Sequence, residues 1–236
     1  MKDVIIACDF SSKEETLHFL DQFKDVKPFV KIGMELYYSE GPSIVQIIKD
    51  RGHKIFLDLK LHDIPNTVYK AMKTLGKLQV DMTNVHASGT IQMMAMARQA
   101  LDETSPKTIL LAVTQLTSTT EEVMHEELWI DHPLEDVVLH YAKNAYLAKL
   151  NGVVCSPLEA KLIHQNMPES FVSVTPGIRF SDSVKDDQAR ITTPLSARTI
   201  GSSYIVVGRP ITAAVNPVTA YQRCVQEFVK GEIWKD

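Results

Sequence analysis

The chain is poor in several features that would mark other classes of protein. Its three cysteines, Cys8, Cys155 and Cys224, are scattered along 236 residues without a Cys-x-x-Cys pair. That argues against a disulfide framework and fits buried thiols in a reducing compartment. No apolar run reaches the roughly 18 residues that a membrane helix needs. The stretch after Met1-Lys2-Asp3, Val4 to Cys8, is too short for a signal-peptide core. Excess positive charge is also lacking: the formal net charge is −4. Neither nucleic acid nor an anionic membrane is therefore expected as a partner, whereas a small anionic ligand stays open because a few local cations outvote a weak global field. The cytoplasm is the expected compartment. Glycine is missing where a dinucleotide fingerprint would need it, in Cys8-Asp9-Phe10-Ser11-Ser12. No Gly/Ser-rich or Pro-rich linker, low-complexity tract or charge block divides the chain, so residues 1–236 read as a single domain.

What is present is alternation. Short β-branched runs stand near Val4–Cys8, Phe29–Ile32, Lys54–Leu59, Asp81–Val85, Thr108–Val113, Gly152–Cys155, Phe171–Thr175 and Tyr204–Val207. Amphipathic stretches lie between them at Glu14–Gln22, Gly41–Lys49, Thr67–Leu78, Ile91–Leu101, Leu134–Lys149, Leu158–Gln165 and Pro217–Val229. Strand–helix alternation implies parallel strands with right-handed crossovers. Eight such units in a chain of this size predict an α/β fold, a closed (β/α)8 TIM barrel, with an open doubly wound sheet as the alternative.

Active residues of such barrels gather at the C-terminal ends of the strands, and those ends are polar here. They carry Asp9; Lys31 before Gly33; Asp58, Lys60 and Asp63; Asn84 and His86; Thr114, Gln115 and Thr117; Ser156-Pro157; Pro176-Gly177-Ile178-Arg179; and Gly208-Arg209-Pro210. The strand beginnings offer no comparable cluster. Within Phe56-Leu57-Asp58-Leu59-Lys60-Leu61-His62-Asp63-Ile64-Pro65-Asn66-Thr67, period two sends Asp58 and Lys60 to one side and Leu57, Leu59 and Leu61 to the other. Charges leave water only when paired, and pairing seldom recovers the whole cost. A structural ion pair is the plain alternative, but a third charge and the Ile-Pro-Asn-Thr exit count against it. Asp9, Lys31, Asp58, Lys60 and Asp63 are expected to form a chain of alternating sign.

Asp9, Ser11 and Ser12 are equally open to a capping role on the first helix. The two Gly-Arg exits, at Arg179 and Arg209, follow strands seven and eight, where barrel phosphate sites commonly lie. Backbone N–H groups beside glycine and a guanidinium suit an anion. The polar run Phe180 to Arg190 is either a solvated loop or a lid with Gln188 as a ligand-facing amide. His86 reads more simply as a structural histidine, and adjacent His62-Asp63 would point opposite ways along a strand. His125, His132 and His140 have no metal-ligand spacing, so no metal is expected.

The segment Asp58-x-Lys60-x-x-Asp63-Ile64-Pro65-x-Thr67 resembles the signature of the orotidine 5′-phosphate decarboxylases. Phe29-Val30-Lys31-Ile32-Gly33, Asn84-Val85-His86-Ala87, Val153-Val154-Cys155-Ser156, Thr175-Pro176-Gly177-Ile178-Arg179 and Val207-Gly208-Arg209-Pro210 extend the likeness over essentially the whole chain, in the compact bacterial form. The resemblance implies conversion of orotidine 5′-monophosphate (OMP) to UMP and CO2 by a homodimeric barrel without metal or organic cofactor. It implies Lys60 as proton donor to pyrimidine C6 and Asp58 beside the departing carboxylate. Asp9 and Lys31 would bind ribose hydroxyls, while Asp63 and Thr67 would reach the neighbouring subunit's site. Thr117 would contact the pyrimidine, Gln188 would be the lid amide, and Arg209 with the Gly208 backbone would hold the phosphate. Arg179 falls in the phosphate-loop region, and Ile64 and Pro176 join the substrate-binding positions. Two stretches depart from the pattern: Ser181 to Gln188 has no glycine, and Ser88-Gly89-Thr90 replaces a more usual run of small residues.

The residues fit that chemistry. Loss of CO2 from C6 leaves a carbanion with no adjacent carbonyl to delocalise it, so an ammonium fixed nearby both stabilises charge and supplies a proton. Flanking carboxylates favour the charged amine, which argues against a Schiff-base lysine. Asp58 acts either by repelling the substrate carboxylate or by positioning Lys60. One oxyanion-type contact gives about 3–4 kcal/mol, against the roughly 8–23 by which enzymes lower barriers, so remote phosphate binding must also contribute. The rivals are a Mg2+-dependent sugar-phosphate decarboxylase or aldolase on the same barrel and a non-catalytic phospholigand-binding barrel.

Overall fold

A computed structural model describes residues 2–181 and 192–234. Eight strands, β1 (Asp3–Ala7), β2 (Phe29–Ile32), β3 (Ile55–Leu61), β4 (Met82–His86), β5 (Ile109–Val113), β6 (Gly152–Val154), β7 (Val172–Thr175) and β8 (Tyr204–Val207), pair in sequence order. All pairs are parallel, and β8 returns to β1 through Val4↔Ile205, so the sheet is a closed barrel rather than an open sheet. Along each strand one set of side chains points inward and the other faces the helices. Ile5, Phe29, Phe56, Met82, Leu111 and Tyr204 fill the lumen. Leu57, Leu59 and Leu61 pack outward, as their alternation predicts.

The outer layer comprises α1 (Lys13–Leu20), α2 (Met34–Glu40), α3 (Ser43–Asp50), α4 (Pro65–Gly76), α5 (Thr90–Thr104), α6 (Glu121–Leu128), α7 (Leu134–Leu147), α8 (Pro157–Asn166), α9 (Pro194–Ile200), α10 (Arg209–Thr212) and α11 (Pro217–Cys224). A π-helical turn, Val225–Lys230, continues α11. Ser12 caps α1, so that role does not fall to Asp9. Ser156 and Glu159 form a capping box on α8, with Pro157 in its first turn. The Ser156-Pro157 strand end is thus a helix start.

Two expected boundaries need correction. The helix placed at Gly41–Lys49 is α3, which starts only at Ser43, and Gly41, at φ +69°, instead closes α2, a helix the sequence pattern did not announce. Strand β3 runs to Leu61, two residues further than expected, but its pairing with β4 slips between Leu57 and Leu61. His62-Asp63 lies past the strand, so the opposed-side argument for that pair does not apply. Among the described residues no helix is long and apolar enough to cross a membrane.

Candidate active site

Charged residues converge at the C-terminal mouth of β1, β2 and β3. Lys31 Nζ donates to Asp9 Oδ1 at 2.7 Å and lies 3.5 Å from Asp58 Oδ2. Asp58 Oδ1 accepts from Lys60 Nζ at 2.8 Å. Asp58 is the hub of the cluster and its more buried carboxylate, with 11% of its side chain exposed against 58% for Asp9. Burial pushes Asp58 up, but the charges of Lys31 and Lys60 and hydrogen bonds from Lys60 and Asn84 outweigh it, so the group titrates below its ordinary value. Burial pulls Lys31 down, and Asp58 and Asp9 reverse this, leaving it above its ordinary value. Both groups are held charged by their partners.

Asp63 does not join this chain. It is exposed, and its Oδ1 accepts the N–H of Ile64 at 2.6 Å. The expected run of five alternating charges is therefore a run of four. The reason is local: His62 and Asp63 leave the barrel wall, and α4 begins at Pro65 with Ile64 at its cap. Ile64 is 68% exposed and Thr67 is also exposed, and neither lines the cavities at the mouth.

Lys60 has a left-handed backbone, φ +51°. For a residue with a Cβ this costs about 1–2 kcal/mol. Its N–H donates to Asn84 Oδ1 at 2.8 Å, across the slipped part of the β3–β4 pairing. Asn84 Nδ2 in turn donates to Asp58 Oδ1 at 2.7 Å. The period-two argument placed Asp58 and Lys60 together correctly, yet the strand breaks its own period to do so.

Two cavities of about 330 Å³ each open at this mouth. The first is bounded by Asp58, Lys60, Phe56, Thr117, Cys155 and Pro176. Lys31, Pro176 and Val206 are shared with the second, which adds Asp9, Gly177, Arg179, Gly208 and Arg209. The two Gly-Arg exits thus border one space. Gly177, at φ +82°, turns the chain after β7, and reciprocal bonds Arg179 N–H to Thr192 O and Thr192 N–H to Gly177 O, 2.9 and 3.0 Å, fix that turn. Gln188, with the expected lid from Asp182 onward, lies outside the described residues. Among the described residues no three His, Cys, Asp or Glu side chains gather as metal ligands would.

Residues 2–224 match the Orotidine 5'-phosphate decarboxylase / HUMPS family. The chain belongs to that family. A protein of Geobacillus sp. strain WCH70 named orotidine 5'-phosphate decarboxylase is 53% identical over 97% of each chain. A Staphylococcus aureus protein of the same name is 54% identical over 97% of this chain and all of its own. The crystal structure of orotidine 5'-phosphate decarboxylase from Lactobacillus acidophilus, 42% identical, superposes with a TM-score of 0.87 over 97% of this chain and 99% of that one. Within this decarboxylase family fold, the sequence reading had left out Asn84's bonds and the walls supplied by Phe56, Cys155 and Val206. Phe56 was detectable, because it stands two residues before Asp58 and so shares its inward face. Asn84's two hydrogen bonds depend on strand register, which the sequence does not display.

Proposed function

We propose that the protein decarboxylates OMP to UMP and CO2, with Lys60 as proton donor to C6. The observation carrying this reading is the Lys60–Asp58 pair, 2.8 Å apart, in a cavity that adjoins a second one bordered by Arg179 and Arg209. The substrate is inferred from the names of the full-length relatives. The pyrimidine would occupy the first cavity beside Thr117 and Pro176. The ribose would lie against Asp9 and Lys31, and the phosphate would meet Arg209, the Gly208 backbone and Arg179. Gln188 would add its amide from the loop.

The C6–carboxylate bond breaks, CO2 departs and the bonding pair stays on C6. The Lys60 ammonium stabilises that charge, gives C6 its proton and is left as a neutral amine, which solvent reprotonates. Asp58 holds the ammonium on one side while Lys31 shields Asp58 on the other. We infer no metal or organic cofactor, and we read residues 1–236 as one domain working in the cytoplasm.

We further propose a homodimer with shared sites. Asp63, Ile64 and Thr67 are exposed just past β3 and line neither cavity of their own mouth. Exposed Met34, Tyr38 and Ile91 follow the neighbouring strands β2 and β4. Mixing Asp63→Asn and Lys60→Ala proteins should restore part of the turnover through hybrid dimers, and no recovery despite proven subunit exchange would remove the shared site. For the reaction itself, UMP formation and CO2 release from OMP should proceed in excess EDTA. Turnover that appears only after Mg2+ is added would favour the sugar-phosphate class instead.

A further inference from the structure

We infer that Asn84 is a positioning residue for the Asp58–Lys60 pair, setting the direction of the Lys60 ammonium by holding two points of β3 at once. The inference rests on the role proposed above for Lys60. Asn84 is fully buried on β4 and lines neither cavity, but it bonds to both of these residues. Its Oδ1 accepts the Lys60 N–H at 2.8 Å, and its Nδ2 donates to Asp58 Oδ1 at 2.7 Å. The same Asp58 oxygen accepts from Lys60 Nζ. A ring is closed: Lys60 backbone, Asn84 carboxamide, Asp58 carboxylate, Lys60 ammonium.

The ring answers a specific problem of the strand. Where β3 slips against β4, Lys60 turns to φ +51°, and a side-chain oxygen takes its N–H in place of a ladder carbonyl. That backbone conformation persists only if its surroundings hold it. A carboxamide offers an acceptor and a donor on one rigid group without needing to take up a proton, as a carboxyl of the same size would. Its orientation is fixed by its neighbours, since an N–H needs an acceptor and a carboxylate needs a donor. Loss of the carboxamide releases the Lys60 backbone and one Asp58 hydrogen bond together, while the cavity that binds nucleotide keeps its walls.

The test compares Asn84→Ala and Asn84→Asp with wild type and Lys60→Ala, measuring kcat, UMP affinity, thermal midpoint and the pH profile of kcat. Asn84→Ala should lower kcat about 100-fold, the scale of a small misplacement of a reacting group, with UMP affinity within about threefold. Asn84→Asp keeps the size and the acceptor for Lys60 but sets a second carboxylate against Asp58. Asp58 and Lys60 on β3 bond to it directly; beyond them stand Lys31 on β2 and Asp9 after β1, and His86 and His62 stack near the ends of β4 and β3. Two carboxylates in contact share a proton at low pH and repel when both ionise. The activity of Asn84→Asp, relative to wild type, should therefore rise as pH falls from 8 toward 6.

A wild-type kcat in Asn84→Ala, or a wild-type pH profile in Asn84→Asp, overturns the inference. So does a parallel loss of kcat, UMP affinity and thermal midpoint, which marks a purely structural role. If Lys60→Ala retains turnover, it is the role of Lys60 that fails. If Lys60→Ala is inactive and Asn84→Ala is normal, only the Asn84 inference fails.

Discussion

At the lower mouth of the barrel, polar side chains close strand-end peptide groups; at the upper mouth, charged side chains bond to one another. Below, Asp81 Oδ2 accepts the Ile55 N–H at 2.9 Å, Thr108 Oγ1 donates to Val80 O at 2.7 Å, and Asn151 Oδ1 accepts the Leu110 N–H at 2.8 Å. Each closes a strand end that would otherwise leave a peptide group without a partner. Above, Asp9, Lys31, Asp58 and Lys60 form a connected series of charges, and Asn84 joins it. The lower set is polar chemistry spent on holding strands in place. The upper set concentrates charge beside a cavity, where removing one member leaves another exposed to a poorly solvating surrounding. Stability and activity should therefore separate along the barrel axis.

The largest separation is expected at Lys60. Lys60→Ala should lower CO2 release at least about 1000-fold, combining loss of general acid and electrostatic stabilisation. Asp58 keeps Lys31 and Asn84 in that variant, so the thermal midpoint should move little and UMP should still bind. Unchanged turnover would refute the proton-donor role, and a collapsed midpoint would break the separation itself.

Arg209→Ala tests the upper mouth away from the reacting carbon. Hydrogen bonds to charged groups contribute about 1.5–3 kcal/mol, so kcat/KM for OMP should fall roughly 10- to 100-fold. Affinity for uridine, which carries no phosphate, should hardly change. Equal losses for UMP and uridine would mean that the guanidinium shapes the mouth and does not grip phosphate.

Asn151→Ala probes the lower mouth. It leaves the Leu110 N–H without its side-chain acceptor and takes a partner from the buried Arg98, whose Nη2 already has none. The expected cost is about 1–3 kcal/mol of stability, read as a lower midpoint in urea or heat. The kcat should stay within about twofold of wild type. A stable but inactive Asn151→Ala protein would contradict the division between the two mouths.

The division was partly legible in the chain itself. Alternation of β-branched and amphipathic segments is a periodic signal repeated eight times, so a local omission such as α2 did not disturb the architecture. Asp58, Lys60 and the two Gly-Arg exits were found because barrel topology sends strand ends to one mouth. Asp63 was misjudged as a partner within the chain because proximity in sequence says nothing about where a loop leaves the wall. The left-handed turn at Lys60 and its hold on Asn84 come from a register slip between strands, a tertiary property. The lower mouth was undervalued for a related reason: Asp81, Thr108 and Asn151 look like ordinary polar residues at or before strand starts until the peptide groups they satisfy are seen.

Acid should sharpen the comparison by reaching the two sets of groups in different ranges. His53 is lowered from its ordinary value by burial, then by Lys27 and Arg51, against an opposing hydrogen bond to Pro28 O. His164 is lowered by burial and Lys2, and His86 by burial, His62 and Lys60. Each takes up its proton more readily in the unfolded chain, so unfolding binds protons and stability falls as pH drops below about 6.5. Asp58 follows the same sign in a lower window: its folded value lies below 3.8, so its contribution is intact above that and is lost only as pH falls through the folded value. Between these ranges the histidines should weaken the barrel while the upper charge series stays ionised. Thermal midpoints should thus decline modestly from pH 7.5 to 5.5, and His53→Gln with His164→Gln should flatten that slope without altering the steeper loss below pH 4. A midpoint independent of pH between 7.5 and 5.5 would count against the buried histidines, and an unchanged slope in the double variant would assign the decline to other groups.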